Sequence, residues 1–153
     1  MPTLVLTECL LVYLKPTDAV NILKWASNFF KNSKFLGIMN YEMIEPFDSF
    51  GQTMLNNLME RGCDLLGIED CPTLAAQSKR MEECLGTVDK TGDAPFKIVS
   101  ETITMNTVYN QRLDKIEKAR IEKLEIFDEF EEWVLLQNHY CIGLGKRCTS
   151  ETE

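Results

Sequence analysis

Glu8 has the setting in this chain that most needs a chemical explanation. It stands within Leu4 to Leu14, reading LVLTECLLVYL, an almost unbroken apolar run interrupted chiefly by Thr7 and Glu8. Burying an unpaired carboxylate costs several kcal/mol. The acid is therefore paired, or it lies at the carboxyl end of a strand beside a crevice, or the run is not a strand. Open α/β sheets bind ligands at that carboxyl edge, which makes Glu8 a candidate ligand contact. The one histidine, His139, stands where a helix meets a strand, with no GxSxG motif near it. A structural histidine fits this better than a member of a catalytic triad. HExxH, a Walker loop and GxGxxG are all missing, so the chain carries no nucleotide-phosphate cradle in these residues. Cys9, Cys63, Cys71, Cys84, Cys141 and Cys148 lie far apart without a CxxC pair. They read as free thiols, several of them small core hydrophobes, and no metal centre is expected.

The elements that must position Glu8 follow from pattern. The Leu4 to Leu14 run predicts a strand buried on both faces, as in a parallel sheet covered by helices. Pro16 and Asp18 open a helix to about Asn32, with Ala19, Ile22, Leu23, Ala26, Phe29 and Phe30 on one core-facing stripe. Phe35 to Ile44 predicts the next strand, giving a right-handed βαβ unit if the two pair in parallel. Phe50 to Arg61 is helical through Met54, Leu55 and Leu58, and Gly62 ends it. A further helix spans Thr73 to Cys84 after Pro72, and Leu85 to Phe96 is a turn-rich loop. A short strand is expected at Ser100 to Thr104, and a short helix at Asn106 to Leu113. Arg112 to Glu132 alternates charge sign and reads as a solvated helical face or a connection beside one. Phe127 to Gln137 is amphipathic through Phe127, Phe130, Val134 and Leu135, and runs into a last strand at His139 to Leu144. Residues 1–145 form the folded part and 146–153 a polar, frayed tail.

Composition narrows the classes. With 44% hydrophobic and 26% charged residues in 153, the chain can bury a core of its own. Sixteen basic against 24 acidic residues leave a net charge of −8 with no basic stripe, so nucleic acid is not expected as a direct partner. No apolar run reaches the ~20 residues of a membrane helix, and the N-terminus has no signal-peptide pattern, so a soluble, cytoplasmic protein is expected.

Seven ordered motifs then carry a resemblance. They are Thr7-Glu8-Cys9-Leu10-Leu11-Val12-Tyr13-Leu14, Leu23-Lys24-Trp25-Ala26, Asn40-Tyr41-Glu42, Asp48 with Phe50-Gly51-Gln52, Cys63-Asp64-Leu65, Glu125 with Phe127-Asp128-Glu129, and His139-Tyr140-Cys141. In this order they resemble the carboxyl-terminal half of the leucine carboxyl methyltransferase family, over most of residues 2 to 145. The chain departs from the family pattern at Leu36-Gly37-Ile38 and in the loop from Cys84 to Val99.

The resemblance implies a partial class I S-adenosylmethionine-dependent methyltransferase sheet, α/β and Rossmann-like, with flanking and lid helices and its N-terminal strands absent. It implies S-adenosylmethionine as cofactor, contacted by Glu8, and Tyr13 at the substrate end as the catalytic-site residue. Asn40, Tyr41 and Glu42 would be neighbours of the site. The implied substrate and partner is the carboxyl-terminal tail of the protein phosphatase 2A catalytic subunit, methylated on its leucine carboxylate by an enzyme monomeric at full length. Tyr13 remains open between a bond to that carboxylate, packing on the leucine, and a hydroxyl satisfied by backbone. The family's glycine-rich loop, ribose-binding acid and substrate-binding basic residues precede the strand of Glu8, so the chain alone is expected to be inactive and to expose an apolar face. Two alternatives stay in view: a relative of the tRNA wybutosine-synthesising methyltransferase, and a non-catalytic module that binds phosphatase.

Overall fold

A computed structural model describes residues 1–86, 96–126 and 128–149. β1 (Thr3–Glu8) pairs in parallel with β2 (Phe35–Met43), Thr3 opposite Leu36 and Glu8 opposite Tyr41. β4 (Tyr140–Thr149) lies antiparallel to β2 and is inserted between it and β3 (Phe96–Thr104), giving the order β1-β2-β4-β3. β3 runs antiparallel to β4, so β1, β2 and β3 all end at one rim. The expected βαβ pairing is thus present as a parallel pair, extended by an antiparallel pair.

The opening run divides where its acid stands. β1 stops at Glu8, Cys9 takes a positive φ of 44°, and Leu11–Tyr13 form a single 3-10 turn rather than more strand. β1 is also an edge strand, not one buried on both faces. Leu4 and Leu6 are 56% and 62% exposed, while Thr7 between Leu6 and Glu8 is buried. The period-2 alternation of side chains explains the difference, because helices cover only one face.

That covered face is packed by α1 (Pro16–Phe29) and α3 (Leu74–Leu85). Pro16 and Asp18 stand in the first turn of α1, and Thr73 caps α3 by accepting a hydrogen bond from the Ala76 amide at 3.2 Å. Ala19, Leu23, Leu36, Ile38, Met81, Cys84 and Leu85 make the core between them. Ile22 and Phe29, expected on the core stripe, are exposed, and Phe29 stacks on Trp25 along the outside of α1. The apolar stripe is wider than the surface the sheet offers it. β4 meets α3 closely because it carries glycine there. A Cβ on Gly145 would lie 2.9 Å from Leu85 Cδ1 and 3.0 Å from Met81 Cβ, and one on Gly143 2.9 Å from Met81 Cε.

β4 runs to Thr149, so residues 146–149, expected in the tail, belong to the sheet. Arg147 on this stretch is buried, with no carboxylate partner among the described residues. Its guanidinium donates to Ser27 Oγ at 2.8 Å, Leu85 O at 3.3 Å, Ser27 O at 3.1 Å and Phe30 O at 3.2 Å. The carbonyls stand at the carboxyl ends of α1 and α3, the negative ends of both helix dipoles, and those of Phe30 and Leu85 also accept from the Ser33 amide at 2.9 Å and the Ser27 hydroxyl at 3.4 Å. Burial alone pushes the guanidinium pKa down. Residues 87–95, most of the expected turn-rich loop, and Phe127 lie outside the described residues.

Candidate functional site

Glu8 is exposed at the carboxyl end of β1, on the face that α1 and α3 leave open. Its register partner Tyr41 shares that face, and the Tyr41 ring stacks on Tyr140 at a centroid distance of 5.4 Å and an interplanar angle of 17°. Tyr13, 36% exposed, ends the 3-10 turn that follows. Burial, then the neighbouring Tyr140, Cys9 and Glu8, raise the Tyr41 pKa. Burial, then Cys9 and Tyr13, do the same for Tyr140. Burial, then Cys9, Cys63 and Glu42, raise Tyr13 as well, so all three phenols stay protonated at neutral pH and can only donate or accept as neutral groups. None of the three hydroxyls makes a hydrogen bond with another described residue.

The turn that presents Glu8 and Tyr13 is fixed from below. Glu42, buried on β2, accepts hydrogen bonds from the Leu11 amide at 2.9 Å and the Val12 amide at 3.4 Å. Desolvation raises its pKa even though those amides and Arg80 oppose the rise. Gly67 donates its amide to Val12 O at 2.8 Å and approaches so closely that a Cβ would lie 3.0 Å from Leu11 O. Beside Glu42, Asn40 lies 2.7 Å from the Thr7 hydroxyl and 3.1 Å from the Gln77 amide, which in turn accepts from Arg80 at 2.6 Å. Glu42 was named from the sequence only as a neighbour; its position on β2 gave no sign that it would cap a turn formed by residues some 30 positions earlier.

His139 has the structural role expected. Its Nδ1 is 2.8 Å from Leu135 O, and its Nε2 is 3.0 Å from both carboxylate oxygens of Asp48. Asp48 also accepts from the Gly51 amide at 2.7 Å as N-cap of α2 (Ser49–Glu60). The imidazole thus joins the start of α2 to the end of α6 (Phe130–Asn138). The Gly51 hydrogen bond, then the histidine, hold the Asp48 carboxyl below its ordinary value. The structure holds no disulfide between the cysteines; burial pushes Cys71 up to about 11 and Cys141 up to about 12, so neither is a ready thiolate.

Residues 105 to 138 join β3 to β4 and rise from the same rim. Met105–Thr107 (α4) passes into a π-helical turn at Val108–Arg112, followed by α5 (Lys115–Ile121) and α6. Tyr109, Ile121, Leu124, Phe130 and Trp133 line an apolar hollow of about 730 Å³ within this insertion. The charged stretch is solvated, as expected: Arg120 pairs with Glu117 at 2.7 Å on an exposed face, and Arg112 reaches Glu101.

A four-stranded mixed sheet with flanking helices and a helical insertion above its carboxyl rim is consistent with a methyltransferase-like α/β fold. No family model matches the chain. It is 41% identical over 151 residues to leucine carboxyl methyltransferase 1 of Bos taurus, covering 99% of this chain and 41% of that protein. With the leucine carboxyl methyltransferase 1 homolog of Arabidopsis thaliana it shares 39% over 142 residues, 93% of this chain and 39% of the relative. With tRNA wybutosine-synthesizing protein 4 of Homo sapiens it shares 36% over 146 residues, 95% of this chain and 19% of the relative. Over the stretch shared with them, the chain belongs to the leucine carboxyl methyltransferase family. It spans about two-fifths of the length of the leucine carboxyl methyltransferases named here, which the figures of 39% and 41% fix.

Proposed function

We propose that the chain forms part of a protein-leucine carboxyl O-methyltransferase that uses S-adenosylmethionine and acts on the carboxyl-terminal leucine of the protein phosphatase 2A catalytic subunit. The sheet is read as the β1-β2-β4-β3 side of a class I Rossmann-like methyltransferase sheet. The observation that carries the reading is Glu8 at the end of a parallel strand, on the open face of the sheet, in a chain with this relationship. The reading also takes the whole enzyme to be cytoplasmic and monomeric.

The residues at the rim suit such a cofactor. A carboxylate beside stacked aromatic rings is a setting for a cation, and Glu8, Tyr41 and Tyr140 provide it. When bound, S-adenosylmethionine would supply a methyl carbon whose bond to positive sulfur breaks, the electron pair going to sulfur, as a carboxylate oxygen bonds to the carbon. Glu8 would hold the donor, while Tyr13 offers its hydroxyl to the substrate carboxylate or its ring to the leucine side chain. A carboxyl terminus has an ordinary pKa of about 3.5 and is already anionic at neutral pH, so no general base is required of this chain. What the site must provide is orientation, which can contribute on the order of 7–11 kcal/mol in favourable cases. Glu42 and Gly67 serve that end by fixing the turn between Glu8 and Tyr13.

The test is methyl transfer to a peptide with the phosphatase carboxyl terminus. It uses the chain alone, and the chain co-purified with the parts of the bovine relative that lie outside the matched stretch. The chain alone should give none, the co-purified pair should give a base-labile methyl ester, and Glu8→Ala in the pair should reduce transfer at least tenfold. A co-purified pair that methylates equally well with Glu8→Ala would refute the reading. Transfer to a tRNA substrate in place of the peptide would assign the chain to the wybutosine branch.

A further inference from the structure

We infer that Glu42 is a proton-responsive positioning residue: its ionised carboxylate is the cap that holds the turn between Glu8 and Tyr13, and the turn loosens when that carboxylate takes up a proton. The inference rests on the proposed function only for its consequence, that methyl transfer slackens on the acid side although no general base takes part.

The 3-10 turn at Leu11–Tyr13 has no side chain of its own to start it. Leu10 stands at its N-cap and supplies no hydrogen bond, so the first amides of the turn need an acceptor from elsewhere. Glu42 Oε1 is that acceptor, for Leu11 at 2.9 Å and Val12 at 3.4 Å, across some 30 residues of chain. Successive amides converging on one oxygen form an anion-binding nest, opened here by the positive φ of Cys9. The rest of the carboxylate is poorly served. Its Oε2 is buried without a hydrogen-bond partner among the described residues, and so is Nε of Arg80, whose Nη2 donates instead to Gln77 Oε1 at 2.6 Å. Arg80 on α3 is the charged group facing Glu42. Cys9 after β1, Tyr13 on the turn and Cys141 opposite on β4 also face it, and all three are held neutral by raised pKa values. A carboxyl group 1% exposed, with one oxygen unpaired, is pushed toward its neutral form, while the amides favour the anion. Burial outweighs the amides, so the folded pKa stands above the ordinary 4.5. The folded chain therefore prefers the protonated acid, a contribution present in full below 4.5 and lost as pH rises through the folded value. At neutral pH the charged cap holds the turn at a cost to global stability, as sites that trade stability for function do.

The experiment uses the full chain, labelled for NMR, and Glu42→Gln, which keeps the shape and an acceptor oxygen but not the charge. In the parent chain the Leu11 and Val12 amide protons should move together with the Glu42 carboxyl carbon as pH is lowered, with a shared midpoint above 4.5. In the Gln variant the two amides should not titrate. At pH 7 they should exchange with solvent at least fivefold faster than in the parent, while the urea midpoint stays level or rises. Amides that ignore the Glu42 carboxyl, a midpoint at or below 4.5, or unchanged exchange in the variant would overturn the inference. A variant that is markedly less stable or unfolded would do the same, because the cap is held against global stability; the parent titration needs no variant. In the co-purified pair, kcat for the peptide should fall through the same midpoint, and Glu42→Gln should lower kcat and remove that acid arm; a kcat flat across the midpoint contradicts the inference. If the amides titrate as expected while the pair transfers no methyl, the cap stands and the carboxyl methyltransferase reading falls. If the pair methylates the peptide while the amides ignore Glu42, the function stands and the cap falls.

Discussion

The two faces of the same sheet are built to different standards. Under α1 and α3, Leu36 and Ile38 pack into a continuous core, glycines at 143 and 145 admit Met81, and even a buried arginine finds four hydrogen bonds on helix-end groups. On the opposite face Leu4, Leu6, Val99 and Leu144 are open to solvent, and among the described residues β1 has a partner on one edge only. An apolar patch of this kind marks an interaction surface more often than a finished exterior. The covered face therefore holds the fold, and the open face with its rim is where the proposed function puts binding.

Substitution of Arg147 by Leu should have the largest effect. It removes four buried hydrogen bonds at the carboxyl ends of α1 and α3 and leaves the Ser27 carbonyl without its arginine donor, and a buried group left unsatisfied costs about 1–3 kcal/mol. A loss of about 3 kcal/mol or more is expected in urea unfolding; a loss below 1 kcal/mol would mean that the covered face does not depend on this clamp. Next come two equivalent glycines. Gly145→Ala drives a methyl into Leu85 and Met81 and should cost about 1–3 kcal/mol. Gly37→Ala on the open face meets Leu4 Cδ1 at 3.0 Å, but Leu4 is free to turn aside, so the cost should be no more than about half as large. Equal costs at the two positions would erase the distinction between the faces. Leu6→Glu should fall within about 0.5 kcal/mol of the parent and reduce concentration-dependent light scattering. The smallest effect concerns Asp48, whose folded pKa lies below its ordinary 3.8. Its contribution is present above that value and is lost as pH falls through the folded pKa, so Asp48→Asn should flatten the pH dependence of the urea midpoint below about pH 4.

Much of this division was legible in the residues. Element order, the parallel pairing of the first two strands, the Gly62 stop, found at φ 71°, and the structural use of His139 all follow from local pattern. The misreadings share one cause. Exposure of Leu4, Leu6 and Phe29 depends on what covers a face, and a continuous apolar run does not reveal whether both of its faces have neighbours. The same holds for Arg147, which looked like part of a charged tail because its acceptors lie on α1 and α3, distant in sequence. At the candidate site, Glu8 stood out from its setting in an apolar run and Tyr13 from the resemblance alone. Tyr140 and the cap supplied by Glu42 did not, because both depend on strand register, which the sequence does not print.

The central claim is that the Glu8 rim is a methyl-donor site completed by more than this face of the sheet. Calorimetric titration of S-adenosylmethionine tests it most directly, into the chain alone and into the chain co-purified with the complementary parts of the bovine relative. No measurable binding alone and micromolar binding in the pair, weakened by Glu8→Gln, is the result expected. Micromolar binding by the chain alone, or binding in the pair indifferent to Glu8→Gln, would contradict it.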